Sequence, residues 1–166
     1  FELAIHDFQP SLPILLKSYA SRTNHLSIAI SYKNLVNVYN NKGEFDQAIE
    51  YFKQALKIIL KAYESSPNHP SIATSYNDLG TAYNYKGEYD QAIKYFQHAL
   101  QIQFKAYESS PNHPSIATSY NDLGTAYNYK GEFDQAIEYF KKALDIMLKA
   151  YESSHNHPSI ATSQNN

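Results

Sequence analysis

Apolar residues recur three and four positions apart along most of this chain. Ile72, Tyr76, Leu79, Gly80 and Tyr83 share one face of a helix. Tyr89, Ala92, Ile93, Phe96, Ala99, Leu100, Phe104 and Tyr107 share one face of another, about 20 residues long. Between the two stands Gly87, which tolerates the positive φ that closes a helix. Glu88 and Asp90 then place negative charge at a new helix N-terminus, where the dipole favours it. Pro70 suits the first turn of the earlier helix, where no N–H is needed, and the Ser/Pro/Asn-rich "ESSPNHP" ends the later one. The pattern predicts a helical hairpin, helix A then helix B.

The hairpin repeats every 44 residues. His25, His69, His113 and His157 are successive steps, as are Gly43, Gly87 and Gly131. Windows 61–104 and 105–148 agree at 37 of 44 positions, and residues 62–88 recur without change at 106–132. Phe1, Ala4, Ile5, Phe8 and Leu12 fall in register with Phe45, Ala48, Ile49, Phe52 and Leu56, so half a unit precedes the first full one. The expected division is 1–24, a second helix with a kink at Pro10 and Pro13; repeats 25–68, 69–112 and 113–156; and 157–166, the start of a further unit. One hairpin cannot bury both its faces, so units of this length are expected to stack as a single array. Gly80 and Gly124 lie on the buried face of A, where a missing side chain lets helix B approach closely. Val36 stands there in the first unit, whose packing should therefore differ.

Composition removes several function classes. The chain has 166 residues, 43% of them apolar, and no stretch near the ~18 apolar residues of a membrane span. It lacks cysteine, so thiolate metal sites and cysteine nucleophiles are excluded, which fits a reducing, cytoplasmic setting. The net charge is −2 with no basic run, against nucleic-acid binding. The opening "FELAIHDFQPSLPILLKSY" does not read as a signal peptide. Sixteen tyrosines suit a protein with much surface per residue, because the ring packs while its hydroxyl stays polar.

Tyr76, Leu79-Gly80, Tyr83, Ala92, Phe96 and Ala99 resemble the tetratricopeptide repeat, as do Tyr120, Leu123-Gly124, Tyr127, Ala136, Phe140 and Ala143. Tyr32, Leu35-Val36, Tyr39, Ala48, Phe52 and Ala55 follow with one change. The 44-residue unit and the "HPSIATSYNDL" opening are similar to the long repeats of the kinesin light chain and nephrocystin-like subfamily. The resemblance implies an all-α, right-handed superhelical solenoid of stacked antiparallel hairpins. It also implies a protein–protein interaction scaffold whose concave groove, lined by the A helices, takes an extended peptide.

On that basis the candidate groove residues are those on the other face of helix A. They are Lys33, Asn34, Asn37, Asn40 and Asn41 in the first unit; Thr74, Asn77, Asp78, Thr81, Asn84 and Tyr85 in the second; and Thr118, Asn121, Asp122, Thr125, Asn128 and Tyr129 in the third. Asparagine amides both donate and accept, which an extended backbone requires. Lys33 and Asn37 match the first part of the carboxylate clamp that some family members use. Asp78, Thr118 and Asp122 depart from it, and acidic walls repel a C-terminal carboxylate. A neutral or basic extended segment is the expected partner.

No catalytic residues, metal or cofactor are expected. The recurring histidines sit on separate hairpins ~8–10 Å apart, too far to share an ion, and are read as shaping the start of helix A. No carboxylate pair and no phosphate-binding glycine loop suggests an enzyme. Two alternatives remain: an array that self-associates end to end, and a sensor arm of a larger protein such as one linked to a nucleotide-hydrolysing domain.

Overall fold

The computed structural model describes residues 25–155, with the side chains of 25–28, 37, 38, 40, 41 and 153–155 left aside. The half-unit at 1–24 with its kink, the start of a unit at 157–166, and Asn37, Asn40 and Asn41 as site side chains lie outside the described residues. All six described elements are helices: α1 His25–Lys42, α2 Phe45–Ala62, α3 Pro70–Lys86, α4 Tyr89–Ala106, α5 Pro114–Lys130 and α6 Phe133–His155. Among the described residues none of these is long and apolar enough to cross a membrane. They fall into two compact units, divided after Glu64.

The first unit holds the hairpin α1–α2. Ala29, Tyr32, Val36 and Tyr39 on α1 are buried, and so are Ala48, Ile49, Phe52, Ala55, Leu56 and Ile59 on α2. The ring of Tyr51 stacks against Tyr32 at 5.7 Å and Tyr39 at 5.3 Å. Val36 is fully buried in the place that glycine takes in the other hairpins. Lys42 reaches Glu44 at 2.6 Å across the turn.

The second unit holds two hairpins, α3–α4 and α5–α6, with α4 packed on α5. Each A helix begins at a His-Pro pair whose role is local. The Nδ1 of His69 accepts from the Ser71 N–H at 3.2 Å, and His113 does the same for Ser115. Histidine thus performs the N-cap task usual for serine or aspartate, satisfying a first-turn N–H that has no partner inside the helix. His113 is also fixed by the ring of Tyr107, stacked with centroids 3.6 Å apart and planes 5° apart.

The A helices end at glycine. Gly87 adopts φ 83° and ψ 8°, and its N–H and that of Glu88 turn back to Asn84 and Tyr83 carbonyls. Those two bonds satisfy carbonyls that the helix itself leaves open. Lys86 and Glu88 pair at 2.6 Å over the turn.

Helix B packs closely on helix A at Gly80. A Cβ there would stand 2.5 Å from Cε1 of Phe96, whose ring is only 2% exposed. Such a contact has no room, so only glycine permits this spacing. An aromatic clasp repeats beside it: Tyr95 lies between Tyr76 (6.2 Å) and Tyr83 (5.2 Å), and Tyr139 between Tyr120 (6.0 Å) and Tyr127 (5.3 Å). Offset-stacked rings add about 0.5–1.5 kcal/mol per pair beyond the area they bury.

Candidate functional site

Helical spacing carries Thr74, Asn77, Asp78 and Thr81 to one side of α3, three and four residues apart. Ser115, Thr118 and Asp122 occupy the matching side of α5. Between the two A helices opens a cleft of about 300 Å³ lined by these seven residues and by Gln103 of α4.

The cleft is held by its own polar groups. The Asn77 Nδ2 donates to Ser119 Oγ at 2.8 Å, tying α3 to α5. The hydroxyls of Thr74 and Thr118 donate to the carbonyls of Pro70 and Pro114, each at 3.2 Å. The Oδ1 of Asn77 and the Oε1 of Gln103 are buried and accept no hydrogen bond from the protein. Gln103 as a whole is 4% exposed. Leaving a buried amide oxygen unsatisfied costs about 1–3 kcal/mol. Desolvation in the cleft wall pushes the Asp122 carboxyl up to about 6.

Six of the groove residues expected from sequence therefore meet at one place: Thr74, Asn77, Asp78, Thr81, Thr118 and Asp122. Others go elsewhere. Asn121 is exposed on α5. Thr125 is half-buried outside the cleft lining, and Asn128 is exposed. Asn84 sits in the last turn of α3, its Oδ1 buried without a partner and outside the cleft. Tyr85 is exposed, and Tyr129 stacks on Tyr89 at 6.0 Å, at the turn edge. Lys33 and Asn34 belong to α1 in the first unit, the first half-buried and the second exposed.

Asn77 also differs from the role expected of it. One N–H of its amide already serves the α3–α5 contact, and its oxygen is buried without a protein donor. Sequence reasoning passed over Gln103 and Ser115. For Gln103 a signal existed: the residues in register are Ile59 and Met147, so a polar side chain replaces an apolar one at a buried helix-B position.

A second hollow, of about 270 Å³, lies at the turn edge among Gly87, Glu88, Tyr89, Asp90, Gln91 and Lys130. Lys130 lies 2.8 Å from Asp90 and 2.5 Å from Glu132, joining the two hairpins. Its hydrogen bonds to Asp90 and then Glu132 raise its pKa, and the bond to Lys130 lowers that of Asp90. Among the described residues no group of three or more histidines or carboxylates is placed to hold a metal ion.

The sequence profile of the tetratricopeptide repeat matches residues 27–105 and 104–149. No curated protein is similar enough in sequence to count as a relative. Among solved structures, the nearly identical TPR-like repeats described as a kinesin light chain of Podosopora anserina superpose with TM-score 0.67 at 26% identity, over 84% of this chain and 65% of that one. BtubC (BKLC) of P. vanneervenii gives 0.70 at 22% identity, over 89% of this chain and 57% of that one. The N-terminal domain of stress-induced protein-1 of C. elegans gives 0.56 at 16% identity, over 86% and 95%. The chain thus spans less than two thirds of the first two of these structures, and the last two likenesses concern the fold.

Proposed function

Because the chain belongs to the tetratricopeptide repeat family, whose all-α solenoids generally mediate protein–protein interactions, we propose that it is a cytoplasmic scaffold or adaptor module. In this reading an extended, neutral or basic segment of a partner lies along the A helices. One observation carries it: the cleft between α3 and α5 keeps two buried amide oxygens, of Asn77 and Gln103, without protein donors. An extended peptide supplies N–H donors at regular intervals and would satisfy them. Two acidic residues, Asp78 and Asp122, set the preference against acidic ligands. The likeness to kinesin light chain repeats supports an adaptor role by analogy of fold.

Peptides selected from a random display library against the 166-residue chain test this. Titration against the double variant Asn77→Ala/Asn121→Ala should raise Kd by about tenfold, with helicity by circular dichroism retained. Equal affinity for the double variant and the natural chain would remove the groove from the account.

A further inference from the structure

We propose that the cleft between α3 and α5 is a subsite for one arginine side chain of the bound partner. The inference rests on the groove reading and narrows it to a single chemistry at a single place.

The argument starts from an imbalance. The cleft wall carries oxygens from three helices: the partnerless Asn77 Oδ1 from α3 and Gln103 Oε1 from α4, and the desolvated carboxylate of Asp122 from α5. In the same wall one N–H of Asn77 Nδ2 is engaged with Ser119, and the Thr74 and Thr118 hydroxyls with their own helix carbonyls. None of the eight lining residues is basic. A group entering this space therefore gains most by bringing donors and positive charge together.

Gln103 makes the case independent of the acidic residues. It is 96% buried, taken as the complement of its 4% exposure, and its oxygen lacks a protein partner. Packing does not require it, because Ile59 and Met147 occupy the same register in the other units. A buried, partnerless amide oxygen on a residue that lines a cleft points to a ligand with donors to give.

Guanidinium fits better than ammonium. Its five N–H groups spread in a plane and can reach acceptors on separate helices at once, whereas ammonium concentrates three donors at one point. The arginine stem would lie against the methyl groups of Thr74, Thr81 and Thr118, which are in the lining. Positive charge would offset the desolvation that pushes the Asp122 carboxyl up to about 6.

The test uses the full 166-residue chain labelled with ¹⁵N. It is titrated with Nα-acetyl-arginine N-methylamide, with the citrulline analogue, which is neutral and nearly isosteric, and with the lysine analogue. Arginine should shift the side-chain amides of Gln103 and Asn77 and the backbone amides of Asp78 and Asp122 in a saturable way. Citrulline should bind about tenfold more weakly, and lysine should fall between. Gln103→Met, which installs the residue already present at 147, should weaken arginine binding about fivefold. Asp122→Asn serves as a second variant should Gln103→Met alter folding, and it should weaken binding to a similar degree.

Equal binding of citrulline and arginine would overturn the proposal and leave the cleft to water. So would unchanged affinity in both variants. The groove reading fails separately. If library-selected peptides bind this face, lack arginine and are not displaced by the arginine probe, the subsite is wrong and the groove stands. If the arginine probe binds while no extended peptide does, the cation subsite stands and the groove is wrong.

Discussion

Hairpins α3–α4 and α5–α6 carry a phenylalanine at the same register, Phe96 and Phe140, each facing a helix-A glycine. Phe96 is 2% exposed and Phe140 is 38% exposed. Their own hairpins hardly differ, since 37 of 44 positions agree. The neighbours do differ. Helix α5 covers the outer side of α4, where Phe104 meets Tyr120 edge-on at 6.2 Å. The corresponding side of α6 carries Ile137, Leu144, Met147 and Leu148 in the open, each about half exposed. A residue's energetic weight in this protein is therefore set by the adjacent hairpin as much as by its own.

The largest expected effect lies in that phenylalanine pair. Phe96→Ala should destabilise by about 3–5 kcal/mol, as for a fully enclosed ring, and Phe140→Ala by roughly half as much. Chemical denaturation of the two variants checks this, and equal losses would mean that coverage by α5 contributes nothing.

The glycines opposite these rings sharpen the same contrast. A Cβ at Gly80 would meet Phe96 Cε1 at 2.5 Å, and one at Gly124 would meet Phe140 Cε1 at 2.7 Å. The distances are nearly the same, but only the Phe140 ring has open space to move into. Overpacking costs about 1–3 kcal/mol, and alanine regains about 1 kcal/mol of helix propensity. Gly80→Ala should thus lower Tm, while Gly124→Ala should leave it unchanged or raise it slightly. The reverse order in thermal melts would show that the ring and not its enclosure decides.

The smallest effect is electrostatic and belongs to α5. Asp122 is pushed up to about 6 by burial, from an ordinary value of 3.8. A carboxyl with a raised folded pKa favours the native state when protonated. Its penalty is absent below pH ~4, grows between ~4 and ~6, and is complete above. After allowance for partial exposure, Asp122→Asn should add about 1 kcal/mol at pH 7.5 and nothing at pH 4. A pH-independent gain would point to a cause other than titration.

The hairpins were legible because their punctuation is chemical and local. Glycine at 43, 87 and 131, proline at 70 and 114, and the three-and-four apolar spacing each act within one turn of the chain. The His-Pro pair was legible as a helix start, though not the capping bond through Nδ1. What stayed hidden depends on how hairpins meet. The bond from Asn77 to Ser119 spans 42 residues, and Gln103 is buried with a partnerless oxygen on α4, which packs against both α3 and α5. The same limit explains why Asn121 and Tyr129 seemed equal to Asn77 and Tyr85: identical letters carry no record of which hairpin lies next to them.

The open side of α6 has a consequence for how stability is shared between the hairpins. In a stack, stability is the sum of unit and interface terms, and a helix with one packed flank gains fewer of them. Among the described residues α4 is packed by both α3 and α5 and α6 by α5 alone, so two helices of closely similar sequence draw different shares of their stability from their neighbours.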